Sequence, residues 1–185
     1  MKQSLLSRTR IAVGASVLVL GLGAAGTTPV SASTCRAGCT APVDGGVKDG
    51  NVVQTTHLTD EAAVTAARAA LAAADADGQP VSVAVVDRNG NTIVALRGDG
   101  SGAHTYESAQ RKAYTAASFN APTSVLVGRL EQNPTLADIP GTLFLAGGLP
   151  IQYHGTPIAG IGVAGAPSGL TDERYAQAGI DAISN

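Results

Sequence analysis

Val81-Ser-Val-Ala-Val-Val86, Asn89-Gly90 and Thr92-Ile-Val-Ala-Leu96 decide the fold. Two β-branched runs separated by Asn-Gly read as a hairpin, because Asn and Gly accept the positive φ a tight turn requires. A hairpin makes the sheet antiparallel at this point. Working outward, Thr59-Asp60-Glu61 opens a helix upstream. Thr59 can cap it, and two acids in the first turn suit the positive end of the helix dipole. Many alanines sustain it, and Asp77-Gly-Gln-Pro80 stops it. Downstream, His104 to Phe119 reads as a second helix, and Pro122 starts a shorter third. Thr142-Leu-Phe-Leu-Ala146 reads as a short strand. Ile151-Gln-Tyr153 and Ile158-Ala-Gly-Ile-Gly-Val163 read as two more, joined by His154-Gly-Thr-Pro157. Thr171-Asp172-Glu173 caps a last helix, with Thr171 as the expected cap. The order is α-β-β-α-α-β-β-β-α. It predicts an α+β sandwich, an antiparallel sheet of about five strands covered by helices.

The chain has 185 residues, 44% hydrophobic and 14% charged, with 12 basic and 14 acidic side chains. That length and hydrophobicity fit one ordinary globular domain and exclude a disordered chain. The near-balanced charge lacks the clustered basic face that nucleic-acid binding or a polybasic membrane anchor needs.

Lys2, Arg8 and Arg10 precede an apolar run from Ile11 to Ala25, followed by Pro29 and Val30-Ser31-Ala32. A positive end, an apolar centre and small residues at −3 and −1 are the layout of a secretory signal peptide. Residues 1–32 are therefore expected to be cleaved, and the protein to be secreted to the extracellular side. The alternative is a retained anchor helix. The run of about 15 residues is short for a bilayer, which needs about 20. Cleavage removes three basic and no acidic residues, leaving 153 residues and a formal charge of −5. Residues 33–56 show no period and are expected to be a flexible arm, in which Cys35 and Cys39 pair as a disulfide in an oxidising compartment. The domain is expected over 57–185.

Gly160-Ile-Gly162-Val-Ala-Gly165 spells a dinucleotide-binding pattern. It lies within a strand, however, and the chain ends too soon for the required strand-helix-strand unit. Its glycines are better read as permitting close approach to the sheet. Arg97-Gly98-Asp99 is too short to be specific. No nucleophile elbow and no His-Glu-x-x-His zinc motif occurs. The three histidines, His57, His104 and His154, all fall at element boundaries, where ligands are often placed. Arg111-Lys112 is a paired cation that can clamp a carboxylate or phosphate, or simply face solvent.

Several segments together resemble the GlcG/HbpS-like family. They are Val85-Val86-Asp87-x-x-Gly90-Asn91, Lys112-Ala-Tyr-Thr-Ala116, Gly147-Gly-Leu-Pro150 and Gly160-Ile-Gly162-Val-x-Gly165. The match runs in order from about Leu58 to Ile183. The resemblance implies a small domain with an antiparallel sheet that assembles into homo-oligomers, often octamers. It also implies haem (heme b) binding, as in exported actinobacterial members. Those members are linked to a membrane sensor kinase in two-component signalling that responds to haem, iron or oxidative stress. Haem needs an apolar slot, an axial donor and cations near its propionates. The axial candidates are His57, His104, His154, the tyrosines and Thr142, and the propionate candidates are Arg111 and Lys112. Surface acids (Asp60, Glu61, Glu107, Asp172, Glu173) offer hard oxygen ligands for iron ions, although acids are expected in first helical turns anyway.

The alternative is a small-molecule-binding protein or small-carboxylate-converting enzyme of the same fold. Arg111 or Lys112 would hold the anion, and His104 or His154 would serve as acid or base. A ligand-free structural oligomer is a third reading. The residues favour a binding protein over an enzyme.

Overall fold

The structure, a computed structural model, describes residues 46–184. The leader and the Cys35–Cys39 pair lie outside the described residues. The chain divides after Asn51. Of the first unit, residues 46–51 are described: they are exposed, with a single 3-10 turn over Asp49–Asn51. The second unit, from Val52, carries all the remaining elements.

Helix α1 spans Asp60–Ala76, and its cap is Thr59, whose Oγ1 accepts from the Ala62 amide at 3.2 Å. Its buried stripe is entirely alanine: Ala63, Ala66, Ala67, Ala70 and Ala74. Strands β1 (Ser82–Asp87) and β2 (Thr92–Arg97) form the expected antiparallel hairpin. The connection holds four residues rather than the two of a minimal Asn-Gly turn. Asp87 captures it: Oδ1 accepts from the Asn89 and Asn91 amides at 2.8 Å each, and Oδ2 from Asn91 Nδ2 at 3.0 Å. Gly90 takes φ +92° and donates its amide to the Asp87 carbonyl.

Helix α2 spans Thr105–Phe119 and α3 spans Thr123–Val127, with short 3-10 turns over Gly128–Leu130 and Pro134–Asp138. Strands β3 (Gly148–Tyr153) and β4 (Thr156–Ala164) form a second hairpin, and α4 spans Gly169–Asp181, capped by Ser168. The sheet order is β2-β1-β4-β3, antiparallel throughout. The α+β fold is as expected, but the sheet has four strands. The predicted strand Thr142–Ala146 is irregular chain. Side chains of α2 bind its backbone instead of a neighbouring strand. Arg111 Nη2 donates to the Thr142 carbonyl at 2.8 Å, and the Leu143 amide donates to Thr115 Oγ1 at 2.8 Å. The predicted cap of the last helix also moves, from Thr171 to Ser168.

The two sheet faces differ in side-chain size. Val83, Val85, Ile161 and Val163 face α1 and α4 and form the main core with Tyr175 and Ala176. On the other face, Gly160 and Gly162 of β4 lie directly against α2. A Cβ on Gly162 would overlap the Ala109 carbonyl and come within 2.6 Å of the Ala113 amide nitrogen. The glycine-rich motif therefore serves helix–sheet packing.

This packing predicts that Gly162→Ala costs roughly 3 kcal/mol, because the atoms in its way are helix backbone and cannot rotate aside. Gly128→Ala, with nothing within 4 Å, serves as the near-neutral control. Urea midpoints of the two variants check the contrast; similar midpoints would refute the close packing. A second expectation concerns Asp87. Burial pushes its carboxyl up, but hydrogen bonds from Asn91 and Asn89 and the charge of His57 outweigh that, and the net shift is downward. The folded state then gains stability above the ordinary carboxylate pKa and loses it as the pH falls through the lower folded value. The stability gap between wild type and Asp87→Ala should narrow on acidification below about pH 4. A gap that does not change with pH contradicts this.

Candidate functional site

Helix α2 separates two hollows. On one flank, Gln110, Arg111 and Tyr114 face the β1–β2 turn and the Pro140–Gly141 segment across an open cavity of about 400 Å³. Tyr114 sits between two glycines. A Cβ on Gly90 would lie 2.6 Å from its ring, and one on Gly141 3.6 Å. Both positions carry positive φ, so glycine serves the backbone and the ring together. The Tyr114 hydroxyl has no hydrogen-bond partner among the described residues. Val86 and Pro140 supply apolar wall, and Arg111 stands at the rim with its guanidinium 3.9 Å from Glu107.

On the opposite flank, Ser108 and Lys112 face the connection from β4 to α4 across a hollow of about 300 Å³, which His104 and Leu145 also line. Its floor is a buried ion pair. Lys112 Nζ donates to Asp172 Oδ2 at 2.8 Å and to the Val163 carbonyl at 3.0 Å. Both residues are 2% exposed. Asp172 Oδ1 accepts from the Ala166 amide at 3.0 Å. Burial pushes the Asp172 carboxyl up, against the pull of Lys112 and the Ala166 and Gly165 amides, and the net direction is upward.

The residues singled out in the sequence are scattered around these features. Arg111 lines the first cavity, and His104 and Lys112 line the second. Thr142 is buried and lines neither, its hydroxyl donating to the Ile139 carbonyl at 2.8 Å. His154 occupies the β3–β4 turn at φ +49°, its ring 4.1 Å from that of Tyr153, beside Arg88 in a separate hollow. His57 is exposed, with Nε2 2.6 Å from Thr55 Oγ1. Asp60 and Glu61 are exposed at the start of α1. Glu173 Oε1 accepts from the Ser124 amide at 2.8 Å. Among the described residues, no three His, Cys, Asp or Glu cluster as a metal site.

Asp172, expected among the surface acids, is instead buried as the partner of Lys112. Its helical spacing is the available signal: three and four positions before the buried Tyr175 and Ala176, it lies on the inward face. Lys112 likewise shares a stripe with Ala109, Ala113 and Ala116.

Residues 58–181 match a family described as haem degrading protein HbpS-like. A crystal structure of HbpS is 64% identical with a TM-score of 0.75, over 76% of this chain and 99% of that one. A double Glu-to-Asp mutant of Streptomyces reticuli HbpS is 62% identical with a TM-score of 0.76, over 80% and 100%. A PduOC:heme complex is 26% identical with a TM-score of 0.64, over 70% and 96%. No curated protein matches the chain.

The ion pair predicts an asymmetry between single and double substitution. Lys112→Met leaves a buried carboxyl without its cation and should cost roughly 3 kcal/mol. Lys112→Met combined with Asp172→Leu removes both charges and should recover most of that loss. Denaturant midpoints decide it: a double variant no more stable than the single would contradict the assignment.

Proposed function

We propose that this chain, which belongs to the HbpS-like family, binds haem in the open cavity between α2 and the β1–β2 turn. The observation that carries this reading is Tyr114, a phenol oxygen free of protein partners, held by glycines on both sides in a partly apolar slot. Tyrosine is a known axial ligand class for haem iron. The nearby Arg111 guanidinium has N–H groups beyond the one donated to Thr142, suited to a propionate. Val86 and Pro140 would meet the porphyrin face. Bound haem would supply a redox-active iron at the surface. The HbpS relatives and the PduOC:heme complex support the ligand class.

The hollow is open, and one face of a porphyrin would project from it. Tyr106, one helical turn before Gln110, and Ile139, next to Pro140, are exposed apolar residues, at 43% and 41%. They favour a second copy covering the site, in keeping with the homo-oligomers, octamers among them, that the family resemblance implies. The reading extends to export, supported by the leader-like residues 1–32, and to an accessory role beside a membrane sensor kinase in sensing haem, iron or redox stress. That last part rests on the resemblance alone.

Haemin added to the purified protein should produce a saturable Soret band. Tyr114→Phe should move or abolish it, and Arg111→Ala should weaken binding while leaving the band position unchanged. His57→Ala, His104→Ala and His154→Ala should leave the spectrum intact. A flat titration would overturn haem binding. A spectrum unaffected by Tyr114→Phe but lost in one histidine variant would overturn the ligand assignment alone.

A further inference from the structure

The hollow on the other flank of α2 brings several hydrogen-bond donors together. Lys112 has three ammonium protons and two acceptors, Asp172 Oδ2 and the Val163 carbonyl. The third proton has no acceptor among the described residues, although Lys112 is 2% exposed and lines the hollow. The ammonium group is satisfied by two partners, and a ligand acceptor would add a third. Ser108 and His104 line the same hollow, and neither side chain has a hydrogen-bond partner among the described residues. The chain from Ala164 to Gly169 closes the remaining side and leads into α4, whose 13 residues bring the positive end of a dipole to this point. The amides of Gly169 and Leu170 have no acceptor among the described residues.

The one acidic group here is already engaged. Asp172 Oδ2 holds Lys112, and Oδ1 holds the Ala166 amide. Its charge offsets that of Lys112, so an entering anion meets hydrogen-bond donors and a helix terminus rather than a net positive charge. That arrangement suits a weakly held monoanion better than a multiply charged phosphate. The entrance is apolar: Leu145 lines it at 52% exposure, and Leu170, next to the lining residue Gly169, is 66% exposed. The hollow, of about 300 Å³, has room for a small organic acid.

We infer that this hollow is a second ligand site, which takes the carboxylate of a small monocarboxylic acid on Lys112, Ser108 and His104, with its short apolar body against Leu145. The site stands on residues separate from Tyr114 and Arg111, so it does not depend on the haem reading.

The test uses haem-free protein labelled with 15N and titrated with acetate, butanoate and inorganic phosphate. Butanoate should give saturable amide shifts at Ser108 and from Ala164 to Leu170, with weaker effects from acetate. His104→Ala/Ser108→Ala, which leaves the buried ion pair in place, should weaken butanoate at least tenfold while the amides of β1 and β2 stay unmoved. Absent or non-saturating shifts, or shifts that survive the double substitution, would overturn the site. Phosphate binding as tightly as butanoate would overturn the ligand class. Haemin added to butanoate-saturated protein separates the two sources of a carboxylate. Unchanged cavity shifts support a free acid, and displacement of butanoate would assign the donors to a haem propionate and overturn a separate site.

Discussion

Backbone-to-backbone contact between α2 and β4 is the constraint on which the rest of the molecule depends. Gly160 and Gly162 leave no side chains on that part of the sheet, and Ala109, Ala113 and Ala117 of α2 fill the space. The helix is therefore held close to the sheet, and it cannot roll without driving its own carbonyls into the strand. A fixed helix fixes what projects from it. Gln110, Arg111 and Tyr114 go to one side, and Ser108 and Lys112 to the other.

The opposite face of the sheet takes the larger aliphatic residues, Val83, Val85, Ile161 and Val163, and completes them with the alanine stripe of α1 and with Tyr175. Burial on that side supplies most of the hydrophobic stabilisation. The α2 side, built from glycine and alanine, contributes less burial and more positional definition. A second restraint acts across α2. Lys112 ties it to α4 through Asp172, and Arg111 and Thr115 tie it to the chain at Thr142 and Leu143. Polar side chains thereby hold the rims of both cavities.

How much of this could be read from residue order depends on the range of the interaction. The two hairpins, the Thr59 cap and α2 are local, and Asn-Gly turns, first-turn acids and alanine runs announce them. The same locality explains the failure at Thr142–Ala146. An apolar run of that length suits a strand, but a strand needs a partner, and here Arg111 and Thr115 supply the hydrogen bonds instead. The pattern Gly160-x-Gly162 was legible as a packing feature once its place inside a strand was recognised. Tyr114 was only one tyrosine among several until Gly90 and Gly141, distant in sequence, closed around it.

The order of residues by itself determined the helices, the antiparallel hairpins, the small-residue face of β4 and the resemblance to the family. Each follows from local backbone preference or from the two-residue period of a strand. Only the tertiary structure decided that Lys112 pairs with Asp172, that Thr142 is buried and lines neither cavity and that the three histidines point to no common centre. Those outcomes depend on which distant surfaces meet, and burial of charge and of backbone polar groups is settled only when the whole core closes.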